Sequence, residues 1–330
     1  MTIMRENDFI KRIRSSVEPS KNPLVKGIGD DCAVIPLDKS RHTLLTTDAF
    51  VEGVHFKRAY FRPEQIGEKA MAVNISDICA MGGMPKYALV TIGFPKKEKQ
   101  AFIDRVYCGI IGAAKRFNAD IVGGDTVSSP SLFISITVWG EAEKREIMMR
   151  SGARPGDGLF VTGFLGSSAA GLDFLKRLKA RATGAKELLA VNSHLQPQPR
   201  LREGRLLAKS GIVTACIDVS DGLVNDTMRI CGESGTGAVI YAENLPVCAS
   251  TQAIASRFGK DPVDYALYGG EDFELLFTVG KKDIGRLVKL ARARSVPVFR
   301  AGVITAGKSV LIERNGRKSR PAEGAIWNHF

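Results

Sequence analysis

Along the first half of the chain, apolar positions switch between a period of two and a period of three to four residues. Residues 42–48 read as a short strand bounded by polar residues and ended by Asp48, and 87–93 as a continuous β-type run closed by Pro95. Over 63–80, Ile66, Ala70, Val73 and Ile78 fall on one side of a helix with Pro63 in its first turn. Phe102, Val106, Ile110, Ala113 and Phe117 carry a second helix over 98–117, and strands follow at 119–123 and 131–139. The stretch 150–158, rich in glycine and containing Pro155, reads as a hinge. Beyond it the alternation resumes, with strands at 159–162, 212–217, 273–279 and 296–304 and helices at 168–179, 222–231 and 283–294. The pattern predicts a two-domain protein of the α/β (α+β) class, divided into 1–147 and 148–330.

Composition narrows the function classes. The 330 residues are 44% hydrophobic and 25% charged, as in ordinary globular domains. No apolar run approaches the roughly 20 residues of a membrane helix. The opening Met1-Thr-Ile-Met-Arg-Glu-Asn-Asp8 has no apolar stretch of the secretory kind, so a cytoplasmic location away from membranes is expected. Six cysteines lie without CxxC or paired spacing and are expected to be reduced thiols of the core. The net charge of +12 is spread along the chain, with no aromatic interleaving, helix-turn-helix or finger pattern. Nucleic acid is therefore not an expected partner, and the excess favours phosphorylated substrates without selecting one.

The aspartates supply the candidate chemistry. Asp30 and Asp31 follow Gly27-Ile-Gly29, Asp48 follows Thr46-Thr47, Asp77 closes Asn74-Ile-Ser-Asp77, Asp125 lies in Gly123-Gly-Asp-Thr126, and Asp218 and Asp221 lie in Ile217-Asp-Val-Ser-Asp-Gly222. Ile75-Ser-Asp77 and Val219-Ser-Asp221 echo each other as helix-opening segments. Any single one of these is an ordinary cap or turn. Their recurrence beside Gly and Ser suggests oxygen ligands for a hard cation, with backbone N–H groups free to approach phosphate. Gly302-Val-Ile-Thr-Ala-Gly-Lys-Ser309 matches the P-loop expression, yet a β-type run follows it instead of a helix, and it reads as a hairpin turn. Val161-Thr-Gly163 through Gly171, with Ser167 and Ser168 opening a helix, reads equally as an anion site and as close helix–strand packing.

Taken in order, these motifs resemble the thiamine-monophosphate kinase family. The resemblance rests on Gly27-Ile-Gly-Asp-Asp-Cys-Ala33, Thr46-Thr-Asp-Ala-Phe-Val-Glu-Gly-Val-His-Phe56, Asn74-Ile-Ser-Asp-Ile-Cys-Ala-Met-Gly82 and Gly123-Gly-Asp-Thr126. It continues through Asp218-Val-Ser-Asp-Gly-Leu223, Gly269-Gly-Glu-Asp-Phe-Glu-Leu275 and Trp327-Asn-His-Phe330, covering nearly the whole chain. It implies the superfamily of aminoimidazole ribonucleotide synthetase and selenophosphate synthetase. The fold implied is an amino-terminal mixed sheet with helices on one face, dimerising through the sheet, followed by a larger carboxy-terminal α/β domain. It also implies phosphorylation of thiamine monophosphate by ATP through direct in-line transfer, with several Mg²⁺ ions. The implied metal ligands are Asp31, Thr46, Thr47, Asp48, Asp77, Asp125, Asp218 and Asp221. The implied ATP contacts are Tyr107, Gly124, Asp125, Arg150 and Ser220, and the implied substrate contacts His55, Glu271 and Trp327. Other readings are a synthetase of the same superfamily acting on a purine intermediate or on selenium, although nothing before Cys32 matches the selenium enzymes, or a non-catalytic nucleotide-binding assembly protein.

Overall fold

The computed structural model of the chain describes residues 6–17, 21–178 and 184–322. The first sheet contains β1 (Ala33–Pro36), β2 (Arg41–Val51), β3 (Met84–Phe94), β4 (Asp120–Ser128) and β5 (Phe133–Glu143), in the spatial order β1-β2-β5-β3-β4. Its neighbours are antiparallel except β3 and β4, which are parallel because a helix, α3 (Gln100–Arg116), carries the chain back between them. Ile134, Ile136 and Val138 alternate along β5 and are all fully buried, which gives the sheet one apolar face. α2 (Pro63–Ala80) and α3 cover that face.

The second sheet contains β6 (Gly158–Thr162), β7 (Val213–Asp218), β8 (Gly237–Tyr241), β9 (Leu275–Val279), β10 (Val298–Thr305), β11 (Val310–Arg314) and β12 (Arg317–Ser319). Their order is β12-β11-β8-β10-β6-β9-β7. One face packs on α7 (Leu223–Ser234) and α9 (Pro262–Tyr268), the other on α6 (Leu201–Ser210) and α10 (Ile284–Ala293). Helices on both faces explain why every position of β6 is buried and why it reads as an unbroken apolar run. α4 (Ser167–Leu178), α5 (Ala185–Leu195) and α8 (Ala249–Phe258) instead join the core of the first domain. α1 (Glu6–Ser16) is tied to α7 by an Arg14–Glu233 ion pair of 2.6 Å.

Helix 63–80 forms residue for residue as its spacing indicates. Two strands extend past the expected ends, so that Asp48 lies inside β2 and Asp125 inside β4 instead of at strand ends. Asp77 sits in the last turn of α2, not at a helix start, whereas Asp221 does precede α7, so the two echoing segments occupy different structural positions. No helix follows Ser309, as the rejection of the P-loop required. The expected hairpin there is nonetheless wrong: β8 lies between β10 and β11 and pairs with both. The hairpin comes one strand later, where Asn315 and Gly316 take φ values of 50° and 71° between β11 and β12. Cys32, Cys79, Cys216 and Cys231 are buried as expected, but Cys108 is exposed and Cys248 half-buried. Among the described residues no helix is long and apolar enough to cross a membrane.

α2 and α3 approach closely through a reciprocal pair of glycines. A Cβ on Gly67 would overlap the Val106 carbonyl oxygen, and one on Gly109 the Glu64 carbonyl oxygen. Neither backbone can yield without separating the helices. Gly67→Ala is expected to destabilise the protein by about 1–3 kcal/mol despite the better helix propensity of alanine. Thermal or urea unfolding measures this, and unchanged stability would show that the crossing is not tight.

Candidate active site

The acidic segments meet where the two domains touch. Asp31 precedes β1, Asp77 lies near the end of α2, and Asp218 ends β7. One carboxylate oxygen from each falls within 4.8 Å of the other two. Asp31 and Asp218 are 7% and 2% exposed, and Asp31 Oδ2 is buried with no hydrogen-bond partner among the described residues. Burial pushes all three carboxyls upward; Asp77 is raised further by Asp48, Asp218 and Asp31, and Asp218 by Asp31. Small hydroxyls brace the group: Thr46 Oγ1 donates to Asp77, and Ser76 Oγ donates to Asp218 across the domain seam. Asn74 Oδ1 accepts from the Asp48 backbone N–H at 2.9 Å, fixing β2 to α2.

Two arginines compensate the charge. Arg150, in the segment joining the domains, donates its Nε to Asp31 at 3.1 Å and its backbone N–H to Asp30 at 3.1 Å. Arg229 on α7 pairs with Asp221 and, at 2.9 Å, with Asp226. The other Asp226 oxygen accepts from the backbone N–H groups of Ser220 and Asp221, each at 3.1 Å, and so shapes the loop before α7. Burial raises Asp30 to about 6 and Asp226 to about 7 in spite of these partners. The loop before α7 is also stitched to the 269–274 loop, because Ser220 O accepts from Glu271 N at 2.7 Å and Val219 O from Phe273 N at 2.9 Å.

The remaining candidates are dispersed. Thr47 faces the opposite side of the sheet from Thr46 and its hydroxyl meets Thr137 at 3.1 Å, so within this chain its side chain does not join the cluster. Asp125 and Gly124 lie on the edge strand β4, three strands from β2 and hence roughly 14 Å away at ~4.8 Å per strand. Tyr107 packs on α3 against the first core. His55 lies in a turn after β2, where its Nδ1 accepts from Val51 N at 3.0 Å; this places the proton on Nε2. Glu271 pairs with Lys69 and His194 at the seam. Trp327 lies outside the described residues. The glycine-rich turn before α4 is not an open anion site, since Asp272 already accepts from Gly166 N at 2.6 Å and Ser168 N at 3.0 Å. Ser76, Asn74, Arg229, Asp226 and Lys69 escaped the reading of the sequence. Ser76 and Asn74 stood inside a motif in which the aspartate alone was given a role at the site.

Two family models match the chain: AIR synthase related protein, N-terminal domain, over residues 29–142, and AIR synthase related protein, C-terminal domain, over residues 154–313. The thiamine-monophosphate kinase of Bacillus subtilis (strain 168) is 38% identical over 307 residues, covering 92% of this chain and 93% of its own length. That of Aquifex aeolicus (strain VF5) is 36% identical over 305 residues, covering 92% and 93%. The solved structure named "AaThiL complexed with AMPPCP and TMP" matches at a TM-score of 0.87 and 34% identity, covering 100% of this chain and 99% of that one.

A carboxyl whose pKa is raised on folding stabilises the fold while protonated, and that contribution is lost as pH rises from the usual carboxylate range through about 6 to 7. A divalent cation in the adjoining cluster would offset the cost of keeping ionised carboxylates buried there. Mg²⁺ is therefore expected to raise the melting temperature more at pH 8 than at pH 5.5, by several degrees for each kcal/mol gained. Scanning calorimetry with Mg²⁺ or EDTA at the two pH values tests this; equal shifts would mean that the cluster does not take the ion.

Proposed function

The chain belongs to the thiamine-monophosphate kinase family of AIR synthase related proteins, and we propose that it transfers the γ-phosphoryl group of ATP to thiamine monophosphate, giving ADP and thiamine diphosphate. The observation that carries this reading is the convergence of Asp31, Asp77 and Asp218, contributed by both domains, beside Arg150. An all-oxygen donor set with an unpartnered buried carboxylate oxygen fits Mg²⁺. Asp31, Asp77 and Asp218, with Asp48 and Asp221 at the margin, would hold several ions. Bound there, Mg²⁺ supplies charge neutralisation for a triphosphate.

The protein's own groups do the positioning. Arg150, at the seam, and Ser220, on the loop before α7, would orient nucleotide phosphates. His55, with its proton on Nε2, is assigned to the substrate's phosphate, and Glu271 and Trp327 to its thiamine portion. A phosphate monoester is largely dianionic at neutral pH, so direct in-line attack on the γ-phosphorus needs no general base. The retained acidic donor set argues against an idle assembly protein. We place the reaction in the cytoplasm.

The outer face of the first sheet supports a homodimer. Leu45, Tyr87 and Trp139 share one row across β2, β3 and β5, with Leu89 on the next, and they are 38%, 43%, 39% and 49% exposed. A second copy packed on this face would cover that apolar patch. It would also offer a way to complete the site, since Gly124 and Asp125 of one copy can then serve the acidic cluster of the other.

ADP release coupled to thiamine monophosphate, compared with purine-precursor and selenide acceptors, tests the activity. Asp48→Asn and Asp221→Asn are each expected to lower kcat at least 100-fold with an unchanged circular dichroism spectrum, and near-normal turnover would remove them from the metal site. Leu89→Asp is expected to convert a two-chain species into a single chain in sedimentation equilibrium. A wild-type protein that sediments as one chain would refute the dimer.

A further inference from the structure

Lys69 is fully enclosed, at 0% exposure, although α2 offers no obvious reason for a charge there. Its Nζ donates to the His194 carbonyl at 2.8 Å and pairs with Glu271 Oε1 at 3.1 Å, and it lies 5.5 Å from the Phe61 ring centroid. The second Glu271 oxygen is 3.2 Å from His194 Nδ1, which is itself 3.1 Å from Ser168 Oγ. Lys69 and His194 are sealed, whereas the Glu271 side chain stays 29% exposed toward the seam. Its backbone takes a φ of 64°, a left-handed conformation that a non-glycine residue adopts at some cost and that the bond to Ser220 O helps to hold.

A buried ion pair is a poor route to stability, because a well-packed apolar pair of the same volume does as well or better. What this one achieves is orientation. Each carboxylate oxygen of Glu271 is held by one sealed donor and keeps a second acceptor position for a ligand.

We propose that Lys69 is a positioning residue for the substrate, fixing the Glu271 carboxylate so that it accepts an N–H of the amine-bearing thiamine portion of thiamine monophosphate. This rests on the reading that Glu271 contacts that substrate. Burial alone would raise the Glu271 carboxyl, but Lys69 and then His194 outweigh it and hold the group well below the usual carboxylate range.

Steady-state kinetics and melting curves of the full chain test the proposal with Lys69→Met, Glu271→Gln and the double variant. Lys69→Met is expected to raise KM for thiamine monophosphate at least tenfold while KM for ATP stays within twofold. The double variant buries two neutral groups, so it should fold even where Lys69→Met does not, and its KM should match that of Glu271→Gln within twofold. A lowered melting temperature without a change in the thiamine monophosphate KM would reduce Lys69 to a structural residue and overturn the proposal. So would a double variant showing the product of the two single effects. An unchanged KM in Glu271→Gln would overturn it by removing Glu271 from the pocket. Absence of turnover of thiamine monophosphate by the wild type would overturn the underlying activity and this role with it.

Discussion

The burial of mutually close carboxyls is the constraint around which this protein is arranged. Asp31, Asp77 and Asp218 come from three distant stretches of chain; burial raises the cost of ionising each, and repulsion adds to it at Asp77, from Asp218 and Asp31, and at Asp218, from Asp31. Such a cluster survives folding only if its surroundings are rigid and its charge is met. The structure meets it with Arg150 and Arg229, which sit among the acids as internal counter-ions, and with hydroxyl donors from Thr46 and Ser76. The fold is thus preloaded: the carboxyls that cost most to ionise in the free protein are those proposed to take a cation.

Rigidity comes from α2. Most surface helices show one apolar stripe, but α2 lies between the first sheet and the second domain and is enclosed nearly all round. Its polar residues are therefore buried and committed to partners: Asn74 to β2, Ser76 to Asp218, Lys69 to Glu271. The close crossing with α3 at Gly67 and Gly109 fixes the helix along its other side.

Local pattern made α2, β2, β6 and β9 legible, because their apolar positions report burial directly. Pairing between distant strands left no such trace. The β10 and β11 segments are adjacent in sequence and look like a hairpin, yet β8, from sixty residues earlier, separates them. Strand order likewise removed Asp125 from the cluster of its own chain, although its motif looks like that of the other aspartates. α5, α6 and α8 were missed for a different reason. Short amphipathic segments bearing Lys and Arg resemble any solvated surface until the core they face is known. In the site, residue type revealed the aspartates but not what holds them. Arg229, three residues after Asp226, looks like an ordinary helical pair, and only the fold shows that it also reaches Asp221. The glycine-rich turn before α4 has the right form for an anion, and the anion is the chain's own Asp272.

The two ends of the seam are mechanically linked. Lys69 and Asp77 are eight residues apart on one continuous helix, about 12 Å at 1.5 Å per residue. Each end is gripped by the second domain: Glu271 and His194 at one, Asp218 through Ser76 at the other. The loops that supply those grips are bonded to each other through Ser220 and Glu271. Opening the domains would break both contacts together, so the spacing between the acidic cluster and the Glu271 carboxylate is set by a helix and not by a flexible hinge. If Glu271 takes the amine-bearing ring of the substrate as proposed, a ligand with phosphate at its other end would meet a fixed ruler, and a molecule of the wrong length would satisfy one end only by forfeiting the other.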